Sequence, residues 1–447
     1  MTNASPPAVP ALADRPWIPA VSADLIGTIA AETAAADTAT LADTLDGLIE
    51  SNRTIHDDAC VNLNPATNTM NPKAEAALSR GLSSRTSLGY AGAKYEMGLE
   101  AIERIEVIAA ELAARIFNAP YVELRVPSGA MANLYAFMAC ASPGDAAIVP
   151  PGAIAGHVTH HEAGAAGLYG LAIHEAPIDP ARYTIDVAAL AEQAEAVRPK
   201  VISVGSSLNI HHHDVAGIRE VADRVGATVL FDAAHLSGVI AGGAWPNPLE
   251  HGAQLMTMST YKSLGGPTAG LVLTTDAELA ERIEAIAFPG LTANFDAGKT
   301  AALAITLLDW VDHGPTYATT MTAAATELAD RLADCDVPVA EFSGVRTRSH
   351  AFAIDARRYG GGQATAESLR QANLLTSAIG LPSGPDDGLR VGTNELVRWG
   401  AAADDMAELA GLIDDALSAT GPDELAAVGE RVSAFRSRFG TLSFVNR

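Results

Sequence analysis

Ser259-Thr260-Tyr261-Lys262-Ser263-Leu264-Gly265-Gly266-Pro267 places one lysine just after a β-rich run and just before a glycine turn. Upstream, Val229-Leu230-Phe231-Asp232-Ala233-Ala234-His235 reads as an apolar strand ending in an acid and a histidine. That arrangement is expected where strand carboxyl ends open onto a ligand crevice. An aspartate followed about thirty residues on by a lysine is also what pyridoxal phosphate chemistry needs. A lysine holds the aldehyde as a Schiff base, and a carboxylate keeps the pyridine nitrogen protonated so that the ring accepts carbanion electrons. Lys262 is the candidate nucleophile, and Asp232 its counterpart at the ring.

Around this pair, strands are expected at about 145–149, 171–175, 200–205, 228–232, 254–259 and 269–274, with helices between most of them, notably 187–197 and 215–226. Such alternation predicts an α/β fold with a mostly parallel sheet and helices on both faces. From Leu99 to about Asn118, Ile102, Ile105, Ile108, Ala109, Leu112 and Ile116 form one helical stripe. A strand at Val122–Val126 then leads into Pro127-Ser128-Gly129-Ala130-Met131-Ala132-Asn133 and another helix. Small residues at a strand-to-helix turn bring backbone N–H groups to an anion with the helix dipole behind them. This turn is the candidate phosphate site, although small residues also serve close packing. Three regions are expected: an N-terminal helical arm (1–55), a large cofactor-binding domain (56–298), and a smaller C-terminal α/β domain (299–447) that begins with a long helical run over about 297–335.

With 447 residues the chain has ample core for this plan. No stretch reaches eighteen uninterrupted apolar residues, and the N-terminus lacks a basic segment followed by an apolar core, so neither a membrane span nor a secretory signal is expected. The expected location is the cytoplasm. A net charge of −24 repels nucleic acid and anionic membranes. It also means that an anionic cofactor must be held by local donors. Cys60, Cys140 and Cys335 are too few and too scattered for a disulfide framework or a zinc site, and core packing is their expected role. His211-His212-His213 is read as a solvated loop.

The lysine segment, Asp232-Ala233-Ala234-His235-Leu236-Ser237-Gly238, Gly156-His157-Val158-Thr159-His160 and Leu389-Arg390-Val391-Gly392-Thr393 follow one another as in serine hydroxymethyltransferase. Over roughly residues 60–415 the chain resembles that family of fold-type-I pyridoxal phosphate enzymes, which implies a mostly parallel seven-stranded sheet in the large domain. The resemblance implies that Lys262 binds the cofactor covalently, that Asp232 pairs with the ring nitrogen, and that His235 and Ser207 lie near the ring oxygen. It implies that His157 stacks on the ring; the competing reading is a zinc pair with His160 or His161. Ser128, Gly129 and Ala130 match the phosphate turn, with Ala130 where a second serine is usual. Ser259 and Tyr261 fall in the cofactor segment, Tyr261 replacing a histidine near the phosphate. Arg390 matches the arginine that grips the substrate α-carboxylate. The Phe288-Pro289-Gly290 loop, up to Asn294, matches a segment reaching the partner's phosphate, which implies a homodimer or a dimer of dimers.

Two departures fall on folate contacts. Leu88 stands where the folate-dependent members have a loop glutamate, and the segment 372–382 is short and lacks the asparagine that recognises the pterin. The paired tyrosines of the family appear as Tyr95-Glu96, so Glu96 is either a relocated acid/base or a salt-bridged loop residue. Ala66 replaces a serine and, with Leu88, makes room for either a larger α-substituent or a less polar aldehyde. The expected activity is making or breaking the Cα–Cβ bond of a serine-, α-methylserine- or threonine-type amino acid. His157 and Glu96 are the candidates for the hydroxyl proton, and Tyr95, Glu96, Ala66 and Arg390 for substrate contacts. Tetrahydrofolate dependence stays open, as do threonine transaldolase and aminotransferase activities on the same fold.

Overall fold

Asp37 interrupts the alanine-rich N-terminal segment: its carboxylate accepts the Thr40 N–H at 2.8 Å and so separates helix α1 (Ala20–Ala35) from α2 (Thr38–Arg53). The computed structural model describes residues 11–447, so the first ten residues of the expected arm lie outside the described residues. The chain divides after Cys60 into two compact units. Neither helix of the first unit holds a fully buried residue, and Trp17, Leu25, Leu48 and Ile49 are exposed.

The second unit is built on helix α3 (Glu100–Phe117), strand β1 (Tyr121–Glu123), helix α4 (Gly129–Cys140), strands β2 (Ala146–Val149) and β3 (Ala172–Glu175), helix α5 (Val187–Val197), strand β4 (Val201–Val204), helix α6 (Val215–Val225), and strands β5 (Thr228–Asp232), β6 (Leu255–Ser259) and β7 (Gly270–Thr274). The seven strands form one sheet in the order β1-β7-β6-β5-β4-β2-β3. From β6 to β3 the pairing is parallel, while β7 runs antiparallel to both β6 and β1. Val229, Leu230 and Phe231 at its centre are buried. Each such side chain contributes roughly 1.5–3 kcal/mol relative to exposure. Because both faces are covered, the central strands are continuous apolar runs, as parallel strands require.

Helix α7 (Ala297–Asp334) is 38 residues long, about 57 Å at the usual rise. It buries a stripe of alanine, leucine and aromatic side chains and leads to strands β8 (Ala351–Asp355), β9 (Ser377–Leu381) and β10 (Gly384–Gly392), an antiparallel sheet in the order β8-β10-β9. No helix among the described residues is long and apolar enough to cross a membrane.

Two expectations are corrected here. His211 and His213 are buried: the His211 ring bonds the Phe342 carbonyl at 2.7 Å, His213 meets Phe231 edge-on, and burial pushes its pKa down to about 4. Only His212, against Trp245, is exposed. Alternation along extended chain turns the outer two histidines inward together. Cys335 is exposed at the end of α7, so core packing describes Cys60 alone in full.

Candidate active site

The carboxyl ends of β4, β5 and β6 carry the chemistry, as strand-end geometry in an open α/β sheet dictates. Gly205 follows β4 with φ at +94°, and the Asp232 backbone lies where a side chain would go. Asp232 closes β5 and is buried. Its Oδ2 accepts Asn133 Nδ2 and faces His160 Nε2, each at 2.9 Å, and Oδ1 accepts the Ala234 N–H at 2.9 Å. Thr257 locks Asn133 by donating to its Oδ1 at 2.7 Å. Burial alone would raise the Asp232 pKa, but the bonds from His160, Asn133 and Ala234 win and hold it well below the ordinary carboxylate range. The site therefore presents an ionised acid.

Lys262 follows β6 in a tight turn. Gly265 N–H bonds the Lys262 carbonyl at 3.0 Å, Gly266 N–H bonds that of Thr260 at 2.7 Å, and Gly265 adopts φ +70°, which favours glycine. Trp310 of α7 donates its indole N–H to Leu264 O at 2.8 Å, and Ser263 Oγ donates to His235 O at 2.7 Å. These bonds fix the turn from two sides. The amine lies 3.1 Å from His235 Nε2, and that nitrogen is 3.5 Å from Nη1 of Arg390. Burial, then the neighbouring Lys262 and Arg390 charges, push His235 well below its ordinary pKa. A neutral ring accepting at Nε2 carries its hydrogen on Nδ1, which has no hydrogen-bond partner among the described residues.

Arg390 on β10 is buried and forms no ion pair with a carboxylate among the described residues. Its Nη1 donates to Ser207 O at 2.8 Å, and its Nε and Nη2 donate to Ser377 Oγ at 3.2 and 3.0 Å. Burial lowers its pKa to about 10. A buried guanidinium without a counter-ion calls for an anionic ligand.

One cavity is lined by Ser128, Gly129, Ala130, Asn133, His157, Ser206, Ser207, Asp232, His235, Ser259, Tyr261 and Lys262. Ser128 caps α4, its Oγ accepting the Met131 N–H at 3.2 Å, so that helix points its positive end at the cavity. This is a local donor set of the kind a chain of charge −24 needs for a phosphate. An ionised buried acid, a buried amine and a helix N-terminus around one cavity, with an unpaired guanidinium 3.5 Å from its His235, fit pyridoxal phosphate and an amino acid carboxylate.

The competing zinc-pair reading is not assembled: His157 Nδ1 turns to Thr159, with its Oγ1 at 2.9 Å and its N–H donating at 3.3 Å, while His160 turns to Asp232. Asn133, His160, Ser263 and Ser377 were not legible in the sequence as site residues. Three other candidates lie away from the cavity of their own chain. Tyr95 is exposed, Glu96 Oε2 accepts the Leu88 N–H at 3.3 Å, and Asn294 Oδ1 accepts the Ser87 N–H at 3.2 Å. Ala66 does not line the cavity, but its N–H bonds Asn64 Oδ1 at 3.1 Å, which also accepts Ser377 Oγ at 3.3 Å.

The surroundings of Lys262 carry a pH prediction. Burial, opposed by Asp232 and reinforced by Arg390, lowers its pKa from 10.5 to about 8. The unfolded chain therefore holds this proton more tightly, and the folded state gains stability as pH rises from about 8 to 10.5. The free amine is the attacking form, so the rate of pyridoxal phosphate uptake by apoprotein should rise through a midpoint near 8. Stopped-flow absorbance across pH 6–10 tests this; a midpoint above 10 would contradict the burial effect.

Comparison with known proteins agrees with the geometry. The profile of the family described as serine hydroxymethyltransferase matches residues 43–413. An alpha-methylserine aldolase of Variovorax paradoxus is 56% identical over 441 residues, covering 98% of this chain and 99% of its own. A protein of the same name from Ralstonia sp. is 49% identical over 436 residues, covering 96% and 99%. A serine hydroxymethyltransferase of Pyrobaculum islandicum is 36% identical over 359 residues, covering 79% and 83%. The match runs through both sheets and through every residue that lines the cavity, and this chain belongs to the serine hydroxymethyltransferase family of fold-type-I pyridoxal phosphate enzymes.

Proposed function

We propose that this chain is a cytoplasmic α-methylserine aldolase that splits its substrate into alanine and formaldehyde without tetrahydrofolate. The observation that carries the reading is the pair of changes at Leu88 and Ala66 beside a retained Lys262, Asp232, His157, His235 and Arg390. The carboxylate that serves folate chemistry in the family is gone, and a methyl group replaces a hydroxyl at a position whose backbone N–H shares the Asn64 side-chain oxygen with Ser377. The names of the nearly full-length relatives support the same substrate.

Lys262, Asp232, His157, His235, Ser207 and the Ser128–Ala130 turn hold the cofactor, which supplies an electron sink for negative charge at Cα. Arg390 binds the α-carboxylate and so sets which Cα bond stands perpendicular to the ring. With Asp232 nearby but Lys262, His160 and Arg390 also facing it, His157 has burial as its dominant influence and a lowered pKa. The Thr159 N–H makes His157 Nδ1 an acceptor, which leaves the hydrogen on Nε2. His157 therefore donates to the β-hydroxyl and orients it, and Glu96 accepts the proton. Glu96, Tyr95 and Asn294 act in the cavity of a second copy, so the working unit is a homodimer or a dimer of dimers. The domain division at about residue 298 puts Lys262 on the large domain and Arg390 on the small one.

The test is formaldehyde release by holoenzyme from α-methylserine, serine and threonine, each with and without tetrahydrofolate. α-Methylserine should react fastest, and folate should change its rate by no more than about two-fold. Strict folate dependence would refute the aldolase reading.

A further inference from the structure

We propose that Ser377 is a positioning residue for the substrate carboxylate: with Asn64 behind it, its hydroxyl fixes the guanidinium plane of Arg390 and reserves the face of that group toward Lys262 for the anion. The inference rests on the assignment of Arg390 as the carboxylate site.

A guanidinium has five N–H groups in a rigid plane. Ser377 Oγ takes two of them, from Nε and Nη2, and Ser207 O takes a third, from Nη1. Ser377 is itself oriented, since its hydroxyl donates to Asn64 Oδ1 at 3.3 Å. Asn64 is held in turn: its own N–H bonds Asn62 Oδ1 at 3.0 Å, and Asn62 Nδ2 donates to Glu395 Oε2 at 2.8 Å. The relay runs from a buried asparagine to the arginine without a break, and it ends on the Nε side. The opposite end of the guanidinium is the one beside His235 and hence beside the amine of Lys262. A carboxylate arriving there meets a cation already fixed in orientation, and the ordering cost of a long arginine side chain has been met before binding. The Asn64 carbonyl oxygen also accepts the Ala66 N–H. The same relay thus fixes the backbone at the position where the family's serine hydroxyl is absent, and Ser377 supplies a hydroxyl at the arginine from another strand.

The test compares holoenzyme affinity for L-alanine with that for L-alaninamide, read from the change in visible absorbance on titration. The two probes differ only in the carboxylate. Wild-type protein should prefer alanine clearly. Ser377→Ala should weaken alanine binding by about ten-fold, the loss expected for one hydrogen bond to a charged group, and leave alaninamide within about two-fold. Ser377→Thr, which keeps the hydroxyl, should restore the preference. Unchanged alanine binding, or an equal loss for both probes, would overturn the positioning role and leave Ser377 a structural residue. Absence of any preference in wild-type protein would overturn the Arg390 assignment itself, and with it this proposal.

Discussion

Lys262→Ala protein should still fold and still take up pyridoxal phosphate, but reversibly, and it should release formaldehyde from α-methylserine at least about 10³-fold more slowly, on the order of 4 kcal/mol in barrier height. Lys262 is buried, yet among the described residues its amine has only His235 within hydrogen-bond reach and no carboxylate in salt-bridge contact. Burial without a counter-ion disfavours the charged amine, so removing the ammonium relieves a desolvation penalty and offsets part of the cavity left behind. The turn itself does not depend on the side chain, because its bonds run through Gly265, Gly266, Trp310 and Ser263. Gel filtration followed by absorbance measurement separates the outcomes. Cofactor that stays with the Lys262→Ala protein through desalting would show that another group forms the covalent link.

The second large effect is at Asp232, where stability and chemistry fall together. Asp232→Ala takes the acceptor from His160 Nε2 and from one of the two Asn133 Nδ2 hydrogens, the other of which still reaches Thr159 Oγ1 at 2.9 Å. Leaving buried donors without their acceptor costs about 1–3 kcal/mol each. Urea unfolding of the apoprotein should show that loss, while cleavage drops by about 10³-fold because nothing then holds the cofactor ring nitrogen protonated. Asp232→Asn separates the two effects. It keeps an acceptor for one donor, so most of the stability should return, but the charge is gone and activity should stay low. Recovery of activity in the asparagine variant would mean that the negative charge is not what the site uses.

Much of this architecture was legible because each strand is a short apolar run closed by a polar or glycine residue. The expected strands at 228–232 and 254–259 meet the observed Thr228–Asp232 and Leu255–Ser259, and the helical run at about 297–335 meets Ala297–Asp334. The strand expected at 122–126 stops at Glu123, whose carboxylate takes the Arg125 N–H at 2.7 Å in place of a neighbouring strand. The antiparallel direction of β7 was not foreseen, although only ten residues, Thr260–Ala269, join it to β6. A parallel crossover needs a dozen or more. Within the site, Asp232, Lys262, His235, Ser207 and Arg390 stood out because each sits in a short, distinctive segment. Asn133, His160 and Ser377 did not, since their partners come from segments far away in the chain. His160 and Asn133 approach each other at 3.3 Å and share the carboxylate of a residue that follows them by 72 and 99 positions. Glu96 was legible as chemistry but not as place, because the cavity it is proposed to serve is not its own, whereas the resemblance had already pointed the loop up to Asn294 at a partner's phosphate.

Helix α7 touches both halves of the catalytic apparatus. Trp310 holds the Lys262 turn through Leu264 O, and farther along the Met321 carbonyl accepts Thr393 Oγ1 at 2.7 Å, three residues beyond Arg390. The helix is therefore a ruler between the amine and the guanidinium. One residue inserted between Trp310 and Met321 would rotate one contact against the other by about 100° and shift it by about 1.5 Å. The exposed side chains along that stretch can be exchanged, but its length is part of the active site.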